Sequence, residues 1–115
     1  MKERTLGSVK VANEVIAHIA SLTARQVQGV AGMYPAGSKD GHRILNADTA
    51  YKGVRVELNE EALRLELFLI IDASAHVPTV AAEVQRQVAD AVDKMLGLEV
   101  QQVNIFVGDV RFPGD

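Results

Sequence analysis

The chain has 115 residues, of which 48% are hydrophobic, and this is enough for one domain with a single core. It contains no cysteine, which excludes disulfides and thiol chemistry, and its net charge of −3 gives no electrostatic reason to expect nucleic acid binding. The longest apolar run, residues 67–71, is far too short to span a bilayer, and no apolar run follows the first residues. We therefore expect no secretory signal and no direct membrane insertion, and the lack of cysteine fits a reducing compartment.

The N-terminal third of the chain predicts a short strand followed by a helix. Residues 6–11, LGSVKV, alternate weakly between apolar and polar side chains, which favours a short edge strand. From 11 to 27, apolar residues recur at spacings of three and four, the period of an amphipathic helix. The stretch QGVAGM follows, in which Gly29 and Gly32 lie three positions apart.

Two interpretations of these glycines are open. In the first, Gly29 is the C-cap at which the helix ends, a position where glycine is enriched because it adopts a positive φ without strain. In the second, the stretch forms a ligand loop like that of KH domains, which clamp the RNA backbone with a Gly-x-x-Gly sequence. The residues of this alternative ligand loop are Gly29, Val30, Ala31 and Gly32. The pair between the glycines carries no positive charge, which favours the first interpretation.

The middle of the chain predicts a variable loop and then a hairpin. Residues 34–52 are rich in Pro, Gly, Asn and Asp and show no regular period. Strand period begins at 54–58, and residues 59–62 have the composition of a turn. The second strand of the hairpin places five apolar residues on one face, namely Leu63, Leu65, Leu67, Leu69 and Ile71.

The C-terminal third predicts a helix and a last strand. Pro78 suits the first turn of a helix over 78–96, and Gly97 follows as a left-handed C-cap. A strand is predicted over 100–107. The helix is long enough to return the chain to the start of the preceding strand, so the last strand is expected to run parallel to that strand. It could lie beside that strand or beyond the strand at 54–58.

Together these elements predict an α+β fold in a single domain over residues 1–115, with 34–52 as its variable loop. The expected architecture is a two-layer sandwich, in which two main helices cover one face of a small mixed sheet of three to four strands. The expected order of elements is β-α-β-β-α-β. No internal repeat or linker marks a second domain.

The residue types that carry most catalysis are present but not in catalytic patterns. His18, His42 and His76 have no metal-ligand spacing, and the acidic pairs fall in turns and on exposed strand faces. No serine stands in a nucleophile-elbow sequence. We therefore expect no enzyme, no catalytic residue, no metal and no cofactor.

One feature does predict a function: the sheet face that the helices leave uncovered. Phe68 and Ile70 point away from the leucine-rich side of their strand, and Phe106 points away from its apolar neighbours on the last strand. If these side chains converge, the uncovered face carries an apolar patch, and contiguous exposed apolar patches mark interfaces. The candidate interface is therefore Phe68, Ile70 and Phe106, and self-association is expected.

Three runs of sequence carry a resemblance to a known family. They are VANEVIAHIASLTARQVQGVAGM, GVRVELNEEALRLELFLIID and VPTVAAEVQRQVADAVDKMLGLEVQQVNIFVGDVRF. In their order and spacing they resemble the bacterial alkaline-shock-protein family, the cell-envelope stress-response family known chiefly from Gram-positive bacteria. The resemblance spans about residues 7–112, almost the whole chain.

The resemblance implies a small, non-enzymatic, cytoplasmic protein that forms homo-oligomers. Some family members are held at the inner side of the cell membrane by an anchoring partner protein. The family supplies no catalytic residues to carry over. Residues 34–52 follow no family pattern. Because the resemblance covers almost the whole chain, we expect no charged extensions like those of larger members.

Two alternatives to a self-associating protein stay open at this point. The first is a KH-like RNA-binding module that uses the ligand loop from Gly29 to Gly32. The second is a small-molecule regulatory domain, which predicts a concave pocket near Ser74, Ala75 and His76 or near the loop at 33–53.

Overall fold

The computed structural model describes residues 6–35, 50–59 and 62–114. Within them, two helices and five strands follow one another along the chain. They are α1 (Asn13–Arg25), β1 (Val30–Met33), β2 (Ala50–Tyr51), β3 (Val54–Leu58), β4 (Leu63–Asp72), α2 (Val77–Leu96) and β5 (Gln102–Arg111).

The sheet is built around β4. On one edge, β5 pairs with β4 in parallel along the whole strand. The other edge of β4 is shared, since β3 pairs antiparallel with its first half and β1 pairs antiparallel with its second half. β2 adds a short antiparallel strand outside β3, across a two-residue turn at Lys52 and Gly53 in which both φ angles are positive.

The core lies between one face of this sheet and the two helices. The five apolar residues predicted on one face of β4 are all at most 2% exposed. The alternation that predicted this face is therefore confirmed. α2 adds a stripe of buried valines at helical spacing, and α1 adds small and β-branched residues that let it approach the sheet closely. These helix residues are Val80, Val84, Val88, Val92, Ile16, Ala17, Ile19, Ala20 and Ala24.

The predicted fold class is confirmed: an α+β sandwich of two helices on one face of a mixed sheet. α2 begins one residue before Pro78, and Gly97 caps it with a φ of 70° and an N–H donated to the carbonyl of Asp93 at 2.8 Å. Of the two places left open for the last strand, the structure selects the one beside β4. Among the described residues five strands form instead of three to four, and the order of elements is α-β-β-β-β-α-β rather than β-α-β-β-α-β. The order differs because residues 6–11 form no strand, and because β1 and β2 are too short to show a period in the sequence.

Two predictions about the N-terminal third were wrong. Residues 6–11 form no strand, and Leu6 and Val9 are almost fully exposed, so their weak alternation buries no apolar surface. Gly29 is not the C-cap of α1, which ends at Arg25 with Gln26 as its cap. Gly29 instead belongs to the turn that leads into β1. Most of the predicted loop, residues 36–49, lies outside the described residues.

Candidate functional site

The candidate site is the free face of the sheet, defined here as the face opposite α1 and α2. Strict alternation along β4 places Phe68 and Ile70 there, together with Glu66 earlier in the strand. Glu66 accepts a hydrogen bond from Arg55 of β3 at 2.9 Å, so this end of the face is polar and paired. The apolar part of the free face lies further along β4, beside Phe106 of β5.

Phe68 and Phe106 lie together, which is the condition that the sequence sets for an apolar patch. The register of the parallel pair places them directly opposite each other, and their rings stack with centroids 4.9 Å apart and planes 14° from parallel. Their exposure differs greatly, since Phe68 is 2% exposed and Phe106 is 45% exposed. Ile70 is half-buried. The accessible member of the predicted interface is therefore Phe106, and Phe68 is the buried support beneath it.

Tyr34 covers part of the free face, and it reaches across this face from the edge of β4 opposite β5. Its backbone N–H donates to the carbonyl of Phe68 at 2.7 Å, which fixes it beside β4 just after β1 ends. Its ring lies against Gly108 of β5, on the other side of β4, so the side chain crosses the central strand. A Cβ at Gly108 would lie 2.5 Å from the Tyr34 ring. Gly108 is also the extra residue at which the register of β5 against β4 shifts.

We expect Gly108→Ala to destabilise the protein by displacing this ring. The new Cβ would overlap the ring of Tyr34, and overpacking of this kind costs about 1–3 kcal/mol. Urea unfolding of Gly108→Ala, Tyr34→Ala and the double variant measures the coupling. Because the clash needs the ring, Gly108→Ala should cost much less in the Tyr34→Ala background. Costs that simply add would show that the two residues do not interact.

A second concave region lies where the small-molecule alternative placed it, beside Ser74, Ala75 and His76. It is a cleft of about 620 Å³ between the end of α1, the end of β4 and the first turns of α2. Its lining is about equally polar and apolar. The residues are Val27, Gln28, Gly29, Asp72, Ser74, Ala75, His76, Thr79, Val80, Glu83 and Gln87.

Several polar groups of this cleft bond to one another or to the neighbouring Arg86. Glu83 accepts hydrogen bonds from Arg86 and from the Gln87 amide. These bonds hold the pKa of its carboxyl below the ordinary value, and the bond from Arg86 has the larger effect. Nδ1 of His76 lies 2.8 Å from the hydroxyl of Thr79. The cleft therefore presents two carboxylates, those of Asp72 and Glu83, together with the amides of Gln28 and Gln87, and no buried polar group among the described residues points into it.

The alternative ligand loop is not a loop in this structure. Val30, Ala31 and Gly32 belong to β1, and the extra residue of a register shift falls at Ala31. Gly29 has a φ of 102° and lies so close to α2 that a Cβ there would meet Val80 at 2.6 Å. Gly29 thus serves a turn and a close backbone approach to α2, whereas Gly32 lies within β1, where a Cβ would meet nothing within 4 Å.

Among the described residues, no three His, Cys, Asp or Glu side chains come together as a metal would require. His18 lies on α1 and His76 precedes α2, while His42 is outside the described residues. In the same parts of the chain, neither helix combines the length and the hydropathy that crossing a bilayer requires.

Sequence reasoning missed Tyr34 and Gly108 as parts of the free face. The sequence predicts the variable loop to include Tyr34, and it predicts the last strand to end before Gly108. A signal was available for Gly108, because a glycine inside an otherwise apolar strand indicates a bulge or a close approach by another group.

Comparison with known proteins places the chain in a family and gives it a structural neighbour. A model of the alkaline shock protein 23 family, described as having a cell envelope-related function, matches residues 1–112. The protein YloU of Bacillus subtilis is 34% identical over 107 residues, covering 91% of this chain and 89% of YloU. YqhY of the same organism is 30% identical over 110 residues, covering 93% and 79%.

A stress response regulator gls24 homolog of Streptococcus pyogenes is 28% identical over 108 residues, which cover 91% of this chain and 59% of the relative. Among solved structures, a zinc form of a MamM CTD variant superimposes with a TM-score of 0.52 at 17% identity, over 89% of each chain. At that identity the likeness concerns the fold alone. The resemblance drawn from the sequence is confirmed by the family match and by the relatives.

Proposed function

The chain belongs to the alkaline shock protein 23 family, a family of cell envelope-related function, and we propose that it acts in the envelope stress response by binding copies of itself and other proteins. Its relatives bear the names of regulators or of proteins without a stated reaction, which supports a non-enzymatic role. We place it in the cytoplasm, at the inner side of the membrane, held there by a membrane-anchoring partner. No cofactor or nucleic acid takes part.

The observation that carries self-association is the exposure of Phe106 on the free face. Phe106 is 45% exposed and its ring is stacked on a buried ring, so it presents a rigid apolar surface. Because stacking already restricts the side chain, little further conformational entropy is lost on binding. Rigid aromatic anchors of this kind dominate the binding energy of protein interfaces. The candidate interface thus keeps its three residues, with Phe106 as the contact, and Phe68 and Ile70 as its support.

The RNA-binding alternative lacks comparable support. A phosphate backbone at the ligand loop would approach the cleft that Gly29 lines, where Asp72 and Glu83 contribute carboxylates. The small-molecule alternative has a cleft at the expected place, but the Glu83 carboxylate there already bonds to Arg86 and Gln87. Self-association through the free face is therefore the function that the geometry supports best.

We expect Phe106→Asp to abolish self-association without unfolding the chain. Loss of a central aromatic anchor costs about 2 kcal/mol or more, which weakens association at least roughly thirtyfold. Sedimentation velocity over a concentration series measures the change. Met95→Asp is the matched control, because Met95 is also an exposed apolar residue but lies on α2, away from the sheet. An unchanged sedimentation profile for Phe106→Asp would place the interface elsewhere.

A further inference from the structure

The outer edge of β5 is open. β5 runs for ten residues and pairs with β4 along one edge, and no strand among the described residues pairs with its other edge. Residues 102–107 contain no proline and no charged side chain, two features with which proteins commonly protect such edges, while the bulge at Gly108 and the charges of Asp109 and Arg111 lie beyond them. An open edge of this length presents backbone N–H and C=O groups to a partner strand.

The hydrogen bonds of β4 establish which residues of β5 face outward. Phe68 donates its N–H to the carbonyl of Gly53 at 2.8 Å and accepts from the N–H of Tyr34, so both its backbone groups point away from β5. Its neighbours in β4 must then bond to β5, since backbone direction alternates along a strand. In the observed register this turns Phe106 towards β4, and it turns Ile105 and Val107 outward.

On both sides of residues 105–107, outward backbone groups of β5 already form hydrogen bonds with side chains. The Gln85 amide of α2 donates to the carbonyl of Val103 at 2.9 Å. The N–H of Val110 donates to the carboxylate of Asp109 at 2.8 Å. Between these two positions, the outward N–H and C=O groups of Ile105 and Val107 have no partner among the described residues. We call residues 105–107 the open segment.

We propose that two copies of this chain pair through the open segment, antiparallel, about a two-fold axis at Phe106. The proposal rests on the proposed function, since it states the geometry of the self-association suggested there. In this register Ile105 of each copy lies opposite Val107 of the other. Residues in such positions exchange both hydrogen bonds, so four backbone hydrogen bonds form and every outward group of the open segment is satisfied.

The same axis aligns the aromatic residues. Phe106 lies opposite its own copy in a pair without hydrogen bonds, where side chains approach most closely. Because Phe106 already stacks on Phe68 at 4.9 Å, four rings then form one row across the free faces of both copies. Asn104 lies opposite Gly108 of the other copy, where no side chain crowds it. The unpaired groups of the open segment and the exposed ring of Phe106 thus favour the same register, each for its own reason.

The first test removes a donor from the open segment. Val107→Pro deletes an outward N–H and leaves the bonds to β4 intact, while Val107→Thr retains the N–H and is the matched control. We expect Val107→Pro to weaken dimerisation at least about tenfold, since two of four hydrogen bonds are lost, and Val107→Thr to behave like the parent chain. Circular dichroism checks the fold, and sedimentation velocity measures association.

The second test requires no variant that could unfold. In the parent chain, hydrogen exchange of the Ile105 and Val107 amides should slow as concentration rises, because pairing protects those two N–H groups. The Val110 amide, bonded within its own chain, should not change with concentration. If the amides of residues 105 and 107 exchange at the same rate throughout an association transition, the edge does not pair.

A third test fixes the register with single cysteines in a chain that has none. Opposed residues without hydrogen bonds have Cα atoms about 4.5 Å apart, within the reach of a disulfide. At high protein concentration, which offsets the loss of the Phe106 ring, Phe106→Cys should therefore form a disulfide-linked dimer under mild oxidation, because the disulfide traps the pair once it forms. Asn104→Cys, on the same face, should not, because the two copies of that residue would be about 13 Å apart in this register. Cross-linking at residue 104 instead would overturn the proposed axis.

These outcomes separate the edge geometry from self-association through the free face. If Phe106→Asp leaves association unchanged, both proposals fail. If Phe106→Asp abolishes association but Val107→Pro and the exchange rates show no effect, the free faces pack on one another and only the edge pairing is wrong. If the chain stays monomeric at every concentration, the two-fold dimer is wrong.

Discussion

Replacing Phe68 with alanine is expected to lower the free energy of unfolding by about 3–5 kcal/mol, the usual cost of removing a buried phenylalanine side chain. Although it lies on the free face, Phe68 is 2% exposed and one ring face is stacked on Phe106. A loss of this size is a large part of the roughly 5–15 kcal/mol that typically stabilises a domain. Phe68→Asp would bury an unpaired charge and should prevent folding.

Phe106→Ala is the matched control for Phe68→Ala. The two rings stack on each other, but Phe106 is 45% exposed, so its removal should cost only about 1 kcal/mol. Urea unfolding of both variants, at concentrations low enough to keep the chain monomeric, compares them without a contribution from association. Equal costs would show that Phe68 is not the buried support of the free face.

The difference between these two phenylalanines also determines how the interface is to be probed. From the sequence, Phe68 and Phe106 look equivalent, because strand period predicts only the face on which a residue lies. Exposure on that face depends on what crosses it, and here Tyr34 and the stacked rings cover the centre. A charge at residue 68 would therefore test folding, whereas a charge at residue 106 tests association.

The regular parts of the fold could be predicted because their signals are local. Alternation along β4 and the valine stripe of α2 each repeat over several turns or pairs, so the buried faces follow from the period alone. Gly97 is equally local, since a glycine directly after an apolar-periodic segment favours the left-handed cap found there.

The parts that could not be predicted depend on contacts between distant residues. β1 has four residues and a register shift at Ala31, so it shows no alternation, and its identity as a strand depends on the free edge of β4. The contact between Tyr34 and Gly108 joins opposite edges of the sheet. The sequence near either residue gives no indication of their contact, so this part of the candidate site can be identified only from the tertiary structure.

Gly29→Ala is expected to cost about 2–5 kcal/mol, a second large effect with a different cause. Alanine would have to adopt a φ near 102°, and its Cβ would lie 2.6 Å from a methyl group of Val80 and 3.2 Å from the Cβ of Ala75. The backbone cannot easily retreat, because the carbonyl of Gly29 accepts the N–H of Asp72 at 2.9 Å at the end of β4. Strain and overlap therefore add.

Gly32 provides the matched control within the same QGVAGM stretch. Its φ is not positive and a Cβ there would meet nothing within 4 Å, so Gly32→Ala should change stability by at most about 0.5 kcal/mol. Urea unfolding of the two variants distinguishes the two interpretations of the stretch. A loop that clamps phosphate needs both glycines for its close approach, whereas a turn packed on α2 needs only the first. Equal, small losses of stability in both variants would contradict the packing of Gly29 against α2.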